Sequence, residues 1–338
     1  MPHAERRVTA DHAVTALSAH RVRHPRITER LNDLSALMYP VSTDDIILVC
    51  GPSGVGKSTL SRFLVEDAVR GSQAAMNRDA GLVPAIYVEA PSSGEREFSW
   101  ALLYQNILSQ LEGELPMRRH AYSVDPATNR LSILPGLSPN SLAALRTAVE
   151  RALRDRGTTH VVIDEAAHIM QHQNTRRLTA NMNTLKSLSN RSGAQFVLSS
   201  SYDLFQMMSL SGQLARRTQV LHFDRYRQDN DSDVRAFRSC VQWFEKQLPE
   251  LFAGRLLPYS EVLHDNALGC IGTLRDVLTR AARFMAAKGG WSPELLRRCL
   301  LTDAQHKRIL EEILEGEEAI NPGISHTAIR PRSPKKAA

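Results

Sequence analysis

Cysteine is scarce: Cys50, Cys240, Cys270 and Cys299 are the four in 338 residues. They are scattered, with neither metal-ligand spacing nor the density of a disulfide framework, which leaves buried free thiols in a reducing cytoplasm as the simplest account. No run of about 18 apolar residues occurs, and the stretch from Met1 to Ala10 is charged without an apolar segment, so the expectation is a cytoplasmic protein that spans no membrane. There is no internal repeat and no collagen-like or mucin-like bias. The composition, 42% hydrophobic and 23% charged, is that of an ordinary globular protein, and the length allows a catalytic module plus an accessory one. The formal charge of +6 permits contact with nucleic acid without demonstrating it.

Short apolar runs mark the chain at Ile46-Ile47-Leu48-Val49-Cys50, Ala85-Ile86-Tyr87-Val88, Val161-Val162-Ile163, Phe196-Val197-Leu198 and Val220-Leu221-His222-Phe223. Helical patterns separate most of them: Ser58 to about Arg70 follows the first run, and Ser138 to Arg156, ending at Gly157, precedes the third. Continuous rather than alternating apolar runs fit strands covered on both faces, so the expected core is a doubly wound α/β domain with a parallel five-stranded sheet. A helix from Ile27 to Met38 leads in. Beyond Arg227 the strand signal disappears, and Ser232 to Leu248, Ser260 to Leu268, Thr273 to Ala287 and Pro293 to Glu315 all read as helices. The expected divisions are a lead-in at 1–44, a nucleotide-binding domain at 45–226, a helical lid at 227–318 and a disordered basic tail at 319–338.

The first strand runs into Gly51-Pro52-Ser53-Gly54-Val55-Gly56-Lys57-Ser58. Phosphates need many donors at close range, and glycines let successive backbone amides converge on them while the following helix adds its N-terminal partial charge. Lys57 would reach the β- and γ-phosphates, and Ser58 would place its hydroxyl on Mg²⁺ with Thr59 beside it. A metal-side acid is expected at the end of a neighbouring strand, and Val161-Val162-Ile163-Asp164-Glu165 supplies it: Asp164 for the ion's water shell, Glu165 for the attacking water. Ser200 or Ser201, ending the fourth run, could orient that water. Arg216 or Arg217, before the fifth, could reach a neighbouring subunit's γ-phosphate, or could simply end a helix in solvent. Arg275, after Gly269-Cys270-Ile271-Gly272, could lean onto the nucleotide. The string from Asp164 to His168 is also faintly like the DEAH helicases, which need a second motor domain that the helical remainder does not supply. His168 and His172 share a helix face, but no further metal ligand accompanies them.

The order of these features resembles an AAA+ ATPase of the initiator-like kind. More narrowly, Val22-Arg23-His24-Pro25-Arg26, the segment from Val161 to His168, and Gly269-Cys270-Ile271-Gly272-Thr273 look like the TnsC and TniB family, the ATPase regulators of Tn7-like transposons, over roughly residues 15 to 290. That resemblance implies ATP-dependent rings or filaments on double-stranded DNA, a TniQ-like targeting partner and a DDE transposase to recruit. It implies that His24 and Pro25 line the adenine pocket, that Lys57, Ser58 and Asp164 hold MgATP, that Glu165 is the hydrolytic base, and that Arg216 or Arg217 acts in a neighbouring subunit. DNA contact would fall to basic residues that hold phosphates without reading bases: Arg118, Arg119 and Arg130 in an inserted loop or hairpin, and Arg176, Arg177, Lys186 and Arg191 on and after the helix following the acids.

Two other readings stand beside this one. A replication initiator or helicase loader of the same superfamily is expected to carry a winged-helix domain near its C-terminus, and the residues after Arg280 show only helices and a basic tail. A signalling ATPase without DNA would bring sensor or repeat domains, which are not evident.

Overall fold

The structure, a computed structural model, describes Leu17 and residues 21–43, 45–92, 94, 97–111, 122–124, 131–133, 141–169 and 175–321. By its internal contacts the chain divides into two units. The sheet unit comprises Arg21–Cys50 and Gly56–Phe223; the helical unit comprises Met1–His20, Gly51–Val55 and Asp224–Ala338.

In the sheet unit, helix α1 (Pro25–Met38) leads into β1 (Ile46–Cys50), α2 (Lys57–Gly71), a single turn α3 (Gln73–Met76) and β2 (Ala85–Glu89). Then follow α4 (Trp100–Leu111), an antiparallel pair of short strands β3 (Tyr122–Val124) and β4 (Leu131–Ile133), α5 (Leu142–Asp155) and β5 (His160–Asp164). A 3-10 turn (Ala166–Ile169), α6 (Thr175–Ser192), β6 (Gln195–Ser200), α7 (Tyr202–Ser209), α8 (Gly212–Ala215) and β7 (Thr218–His222) complete it. The five-stranded sheet has the order β2-β5-β6-β1-β7, and every pairing in it is parallel. All residues of β1, β5 and β6 are buried, whereas the edge strands β2 and β7 are buried only in part. Central strands with no exposed face explain the unbroken apolar runs in the sequence. The last strand begins at Thr218 rather than Val220 and stops before Phe223. Because chain order runs from β1 to the far edge and back, the carboxyl ends of β1, β6 and β5 lie side by side, where open α/β sheets hold their ligands.

Helix α5 is capped as capping chemistry predicts: the Ser141 hydroxyl accepts from the Ala144 amide at 3.2 Å, and Gly157 beyond its end takes a positive φ of 59°. The expected start at Ser138 lies outside the described residues.

The helical unit holds α9 (Asp231–Gln247), α10 (Pro249–Phe252), a 3-10 turn (Leu257–Tyr259), α11 (Ser260–Asn266), α12 (Ile271–Lys288), α13 (Pro293–Cys299) and α14 (Asp303–Ile320). One expectation is corrected: Pro293 to Glu315 is two helices, not one. The break at Leu301 is fixed from both sides, since its amide donates to Asn266 Oδ1 at 2.9 Å and its carbonyl accepts from Asn266 Nδ2 at 3.2 Å. Thr302 then starts α14 with a capping box, exchanging bonds with Gln305. Helix α12 also begins two residues before the expected Thr273, at Ile271. All four cysteines are buried and free. No helix among the described residues is long and apolar enough to cross a membrane. Of the tail expected at 319–338, Ala319 and Ile320 belong to α14, and residues 322–338 lie outside the described residues.

Candidate nucleotide site

The glycine-rich loop is a turn between β1 and α2. Val55 donates its amide to the Pro52 carbonyl at 3.3 Å, Gly54 and Gly56 take φ of +77° and +117°, and Leu60 returns a bond to the Gly56 carbonyl at 2.9 Å. Lys57, Ser58 and Thr59 form the first turn of α2, whose leading amides have no carbonyl partner within the helix and carry its positive dipole end. Both positive φ values are cheap for glycine and costly for any residue with a Cβ. Gly51–Val55 belongs to the helical unit, and there Gly54 meets α12: the Gly272 amide donates to the Gly54 carbonyl at 2.6 Å. A Cβ on Gly54 would collide with the Thr273 hydroxyl.

Asp164 ends β5 and is 3% exposed. Its carboxylate is held at both oxygens: the Tyr87 phenol donates to Oδ2 at 2.8 Å and the Glu165 amide donates to Oδ1 at 3.0 Å. Burial, reinforced by the Asp164 charge, pushes the Tyr87 hydroxyl well above the usual phenol range, so it remains a donor. The Arg62 guanidinium lies 4.3 Å from the centre of the Tyr87 ring. Glu165, exposed, adopts a φ of +51°. A non-glycine residue in the left-handed region stores about 1–3 kcal/mol, a strain that collects at functional sites. The turn is secured by the His168 amide on the Glu165 carbonyl at 3.0 Å, while His168 Nδ1 lies 3.0 Å from the Ala90 carbonyl. Among the described residues no group of three or more His, Cys, Asp or Glu could hold a metal on its own.

Ser200 lies opposite Cys50 in the β1–β6 register and is 1% exposed; neither its hydroxyl nor that of Ser199 has a hydrogen-bond partner among the described residues. Ser201, by contrast, donates to Asp203 Oδ2 at 3.1 Å. Arg216 and Arg217 are exposed and make no ion pair among the described residues, while the Arg217 carbonyl fixes the start of β1 by accepting from Ile46 at 3.1 Å. His24 caps α1, which Pro25 opens. Burial and the nearby Arg26 charge hold the His24 pKa down at about 3, so its ring is neutral, and it stacks 6.4 Å from Phe223.

In the helical unit a groove of about 700 Å³ is lined by Ser53, Gly54, Thr273, Arg275, Thr279 and Arg280, among others. Arg275 lies in it, paired to Asp276 at 3.1 Å. Of the basic residues expected to meet DNA, Arg118, Arg119 and Arg130 lie outside the described residues, and Arg176 is placed by its backbone alone, in α6. Arg177 pairs with Glu97 at 2.8 Å, and Arg191 with Glu150 at 2.7 Å. Glu150 is buried and also takes Arg146 at 3.0 Å, while the Arg191 side chain stays largely exposed. Lys186 is half-buried in α6.

With that geometry in place, comparison with known proteins is informative. Residues 41–208 match the AAA domain family. The fold is that of an AAA+ P-loop ATPase, and two solved structures share it. The Aeropyrum pernix ORC1 protein, solved in complex with DNA, is 16% identical with a TM-score of 0.56, covering 85% of this chain and 68% of its own. The Aeropyrum pernix ORC2 protein, in ADPNP and ADP complexes, is 16% identical with a TM-score of 0.54, covering 83% and 67%. No curated protein matches the sequence. The matched segment runs from β1 into α7, taking in the glycine loop, Asp164, Glu165 and the serines that end β6.

Proposed function

We propose that this AAA+ protein hydrolyses ATP as the switch of an assembly on double-stranded DNA. The observation that carries the reading is the acid pair: Asp164 fixed by two hydrogen bonds at a strand end, with Glu165 beside it held out in a strained conformation. The residues fit MgATP. Gly54 and Gly56 take the positive φ that a tight glycine turn uses, Ser58 and Asp164 offer the hard oxygen donors magnesium prefers, and two buried hydroxyls at the end of β6 have unused bonding capacity among the described residues. Lys57 and the loop amides would hold the phosphates, and Ser58 and Asp164 would hold the ion. Bound there, Mg²⁺ neutralises charge on the phosphate oxygens. Glu165 takes the proton of the attacking water, and Ser200 orients that water. Arg216 or Arg217 of a neighbouring copy supplies fixed positive charge, which makes hydrolysis depend on assembly.

The narrower reading is a regulator of DNA transposition that links a TniQ-like targeting protein to a DDE transposase. It is supported by the resemblance around His24-Pro25, the acid pair and the Gly269–Gly272 segment. A replication initiator or helicase loader is favoured by a different observation, the fold shared with the two ORC proteins, one of them solved with DNA. Incubating the protein with duplex DNA and MgATP tests the common part: particle size rises by light scattering and electron microscopy, ADP does not support it, and Glu165→Gln traps the larger species. No change in size with ATP sinks the assembly reading. Stimulation of strand transfer by a purified transposase, against loading of a replicative helicase, separates the two narrower readings.

A further inference from the structure

Outside the residues already given roles, one side chain bonds directly to the acid at the end of β5. A carboxylate offers four lone-pair sites. On Asp164 two are filled from opposite ends, by the Glu165 amide and by the phenol of Tyr87, and the carboxylate is 3% exposed, so its plane cannot turn freely. One lone pair on each oxygen remains for the water shell of a cation. Tyr87 is itself held. It sits on β2, paired in register with Val162 of β5, and its ring lies under the guanidinium of Arg62. Arg62 belongs to α2, the helix whose first turn carries Lys57 and Ser58. A chain of contacts, Arg62 to Tyr87 to Asp164, therefore ties the helix that follows the phosphate loop to the strand that carries the acids.

We propose that Tyr87 is a positioning residue for the metal-side acid: by donating to Asp164 Oδ2 under the Arg62 guanidinium, it presets the carboxylate for Mg²⁺ and so determines how much the ion adds to nucleotide affinity. The inference rests on the ATPase reading above. A bond from an outer partner to a metal-binding side chain is commonly worth 10-fold or more in metal affinity, because the ligand then loses less freedom on binding.

The test uses the full chain and a fluorescent ATP analogue, titrated in EDTA and across a Mg²⁺ series. In Tyr87→Phe, which retains the ring and its stacking with Arg62, affinity in EDTA stays within about twofold of the native protein. The Mg²⁺ concentration for half-maximal enhancement rises about 10-fold, while the variant stays folded and its unfolding temperature falls only as far as the loss of one buried hydrogen bond to a charged group lowers it. An unaltered or lowered Mg²⁺ requirement overturns the proposal. So does equal weakening in EDTA and in Mg²⁺, because Tyr87 would then support the pocket as a whole. If Tyr87→Phe does not fold, Arg62→Met serves instead: it leaves the phenol in place but unclamped, a shift of about threefold in the same direction is expected, and no shift overturns the idea. A native protein that binds no nucleotide, with or without Mg²⁺, defeats the ATPase reading first.

Discussion

At the amino ends of the central strands and at their carboxyl ends, the same sheet buries polar side chains to different effect. At the amino end, His160 and Gln195 are paired across β5 and β6 and fully buried, and the Tyr39 ring stands edge-on over His160 at 5.3 Å. The Thr158 and Thr159 hydroxyls donate to the carbonyls of Val83 and Pro84 at 2.7 and 2.9 Å. At the carboxyl end stand Asp164, Ser199, Ser200 and the first turn of α2. Unpartnered polar atoms occur at both ends: His160 Nε2 and the Gln195 amide at one, the two serine hydroxyls at the other. Such atoms therefore do not mark a site by themselves. Charge separates the ends. Burial lowers the His160 pKa to about 4, so the buried pair at the amino end is neutral, whereas the carboxyl end gathers two acids, a lysine and a helix dipole.

Removing the charge that would hold phosphate should have the largest effect. Lys57→Ala should lower nucleotide affinity at least about 100-fold, as expected for losing hydrogen bonds from a charged group worth about 3 kcal/mol. Calorimetric titration reads this, and unfolding should change little; His160→Gln, at the other end, should leave affinity unaltered. A similar loss from both variants would erase the contrast.

Acid tests two buried histidines, His160 at the amino end and His24 beside Phe223. His24 and His160 have folded pKa values of about 3 and about 4, below the 6.5 of the unfolded chain. Between those values and 6.5 the unfolded state binds protons that the folded state does not. Stability is therefore full above pH 6.5 and falls as pH drops, by up to about 1.4 kcal/mol per pH unit for each histidine. Denaturant unfolding at pH 7 and pH 5 measures the loss, and His160→Gln should remove about half of it.

The smallest effects distinguish a bonded hydroxyl from an unbonded one. Thr158→Val should cost about 1 kcal/mol, the net value of a buried hydrogen bond, with turnover unchanged. Ser200→Ala removes a hydroxyl that has no hydrogen-bond partner among the described residues, so it should leave stability within about 0.5 kcal/mol while slowing hydrolysis. Paired unfolding and turnover measurements check both, and a Ser200→Ala variant with normal turnover removes that serine from the proposed chemistry.

Much of this was legible in the sequence because it is local. Ile46–Cys50 is wholly apolar since both faces are covered, and Gly54 and Gly56 announce backbone angles that other residues avoid. Partners distant along the chain left no such trace. Tyr87 reads as one more residue of an apolar run, and its bond to Asp164 joins positions 77 apart. The interruption at Leu301 depends on Asn266, 35 residues earlier, so periodicity alone carried a single helix through it. Arg191 reads from the sequence only as a basic residue near a helix end, and the buried carboxylate that it pairs with lies on another helix. Periodicity reports which face is covered, not which side chain meets which.

The bond from the Gly272 amide to the Gly54 carbonyl bears on how the protein is made. Most of the sheet can form while the chain is still emerging from the ribosome, but this bond must wait for a residue more than two hundred positions further on. A nascent or truncated chain ending before α12 would contain Lys57, Asp164 and Glu165 with Gly54 unanchored. Because the bond uses only main-chain atoms, it is indifferent to pH and nearly so to salt. The phosphate loop is among the first recognisable motifs to be synthesised and among the last to be finished.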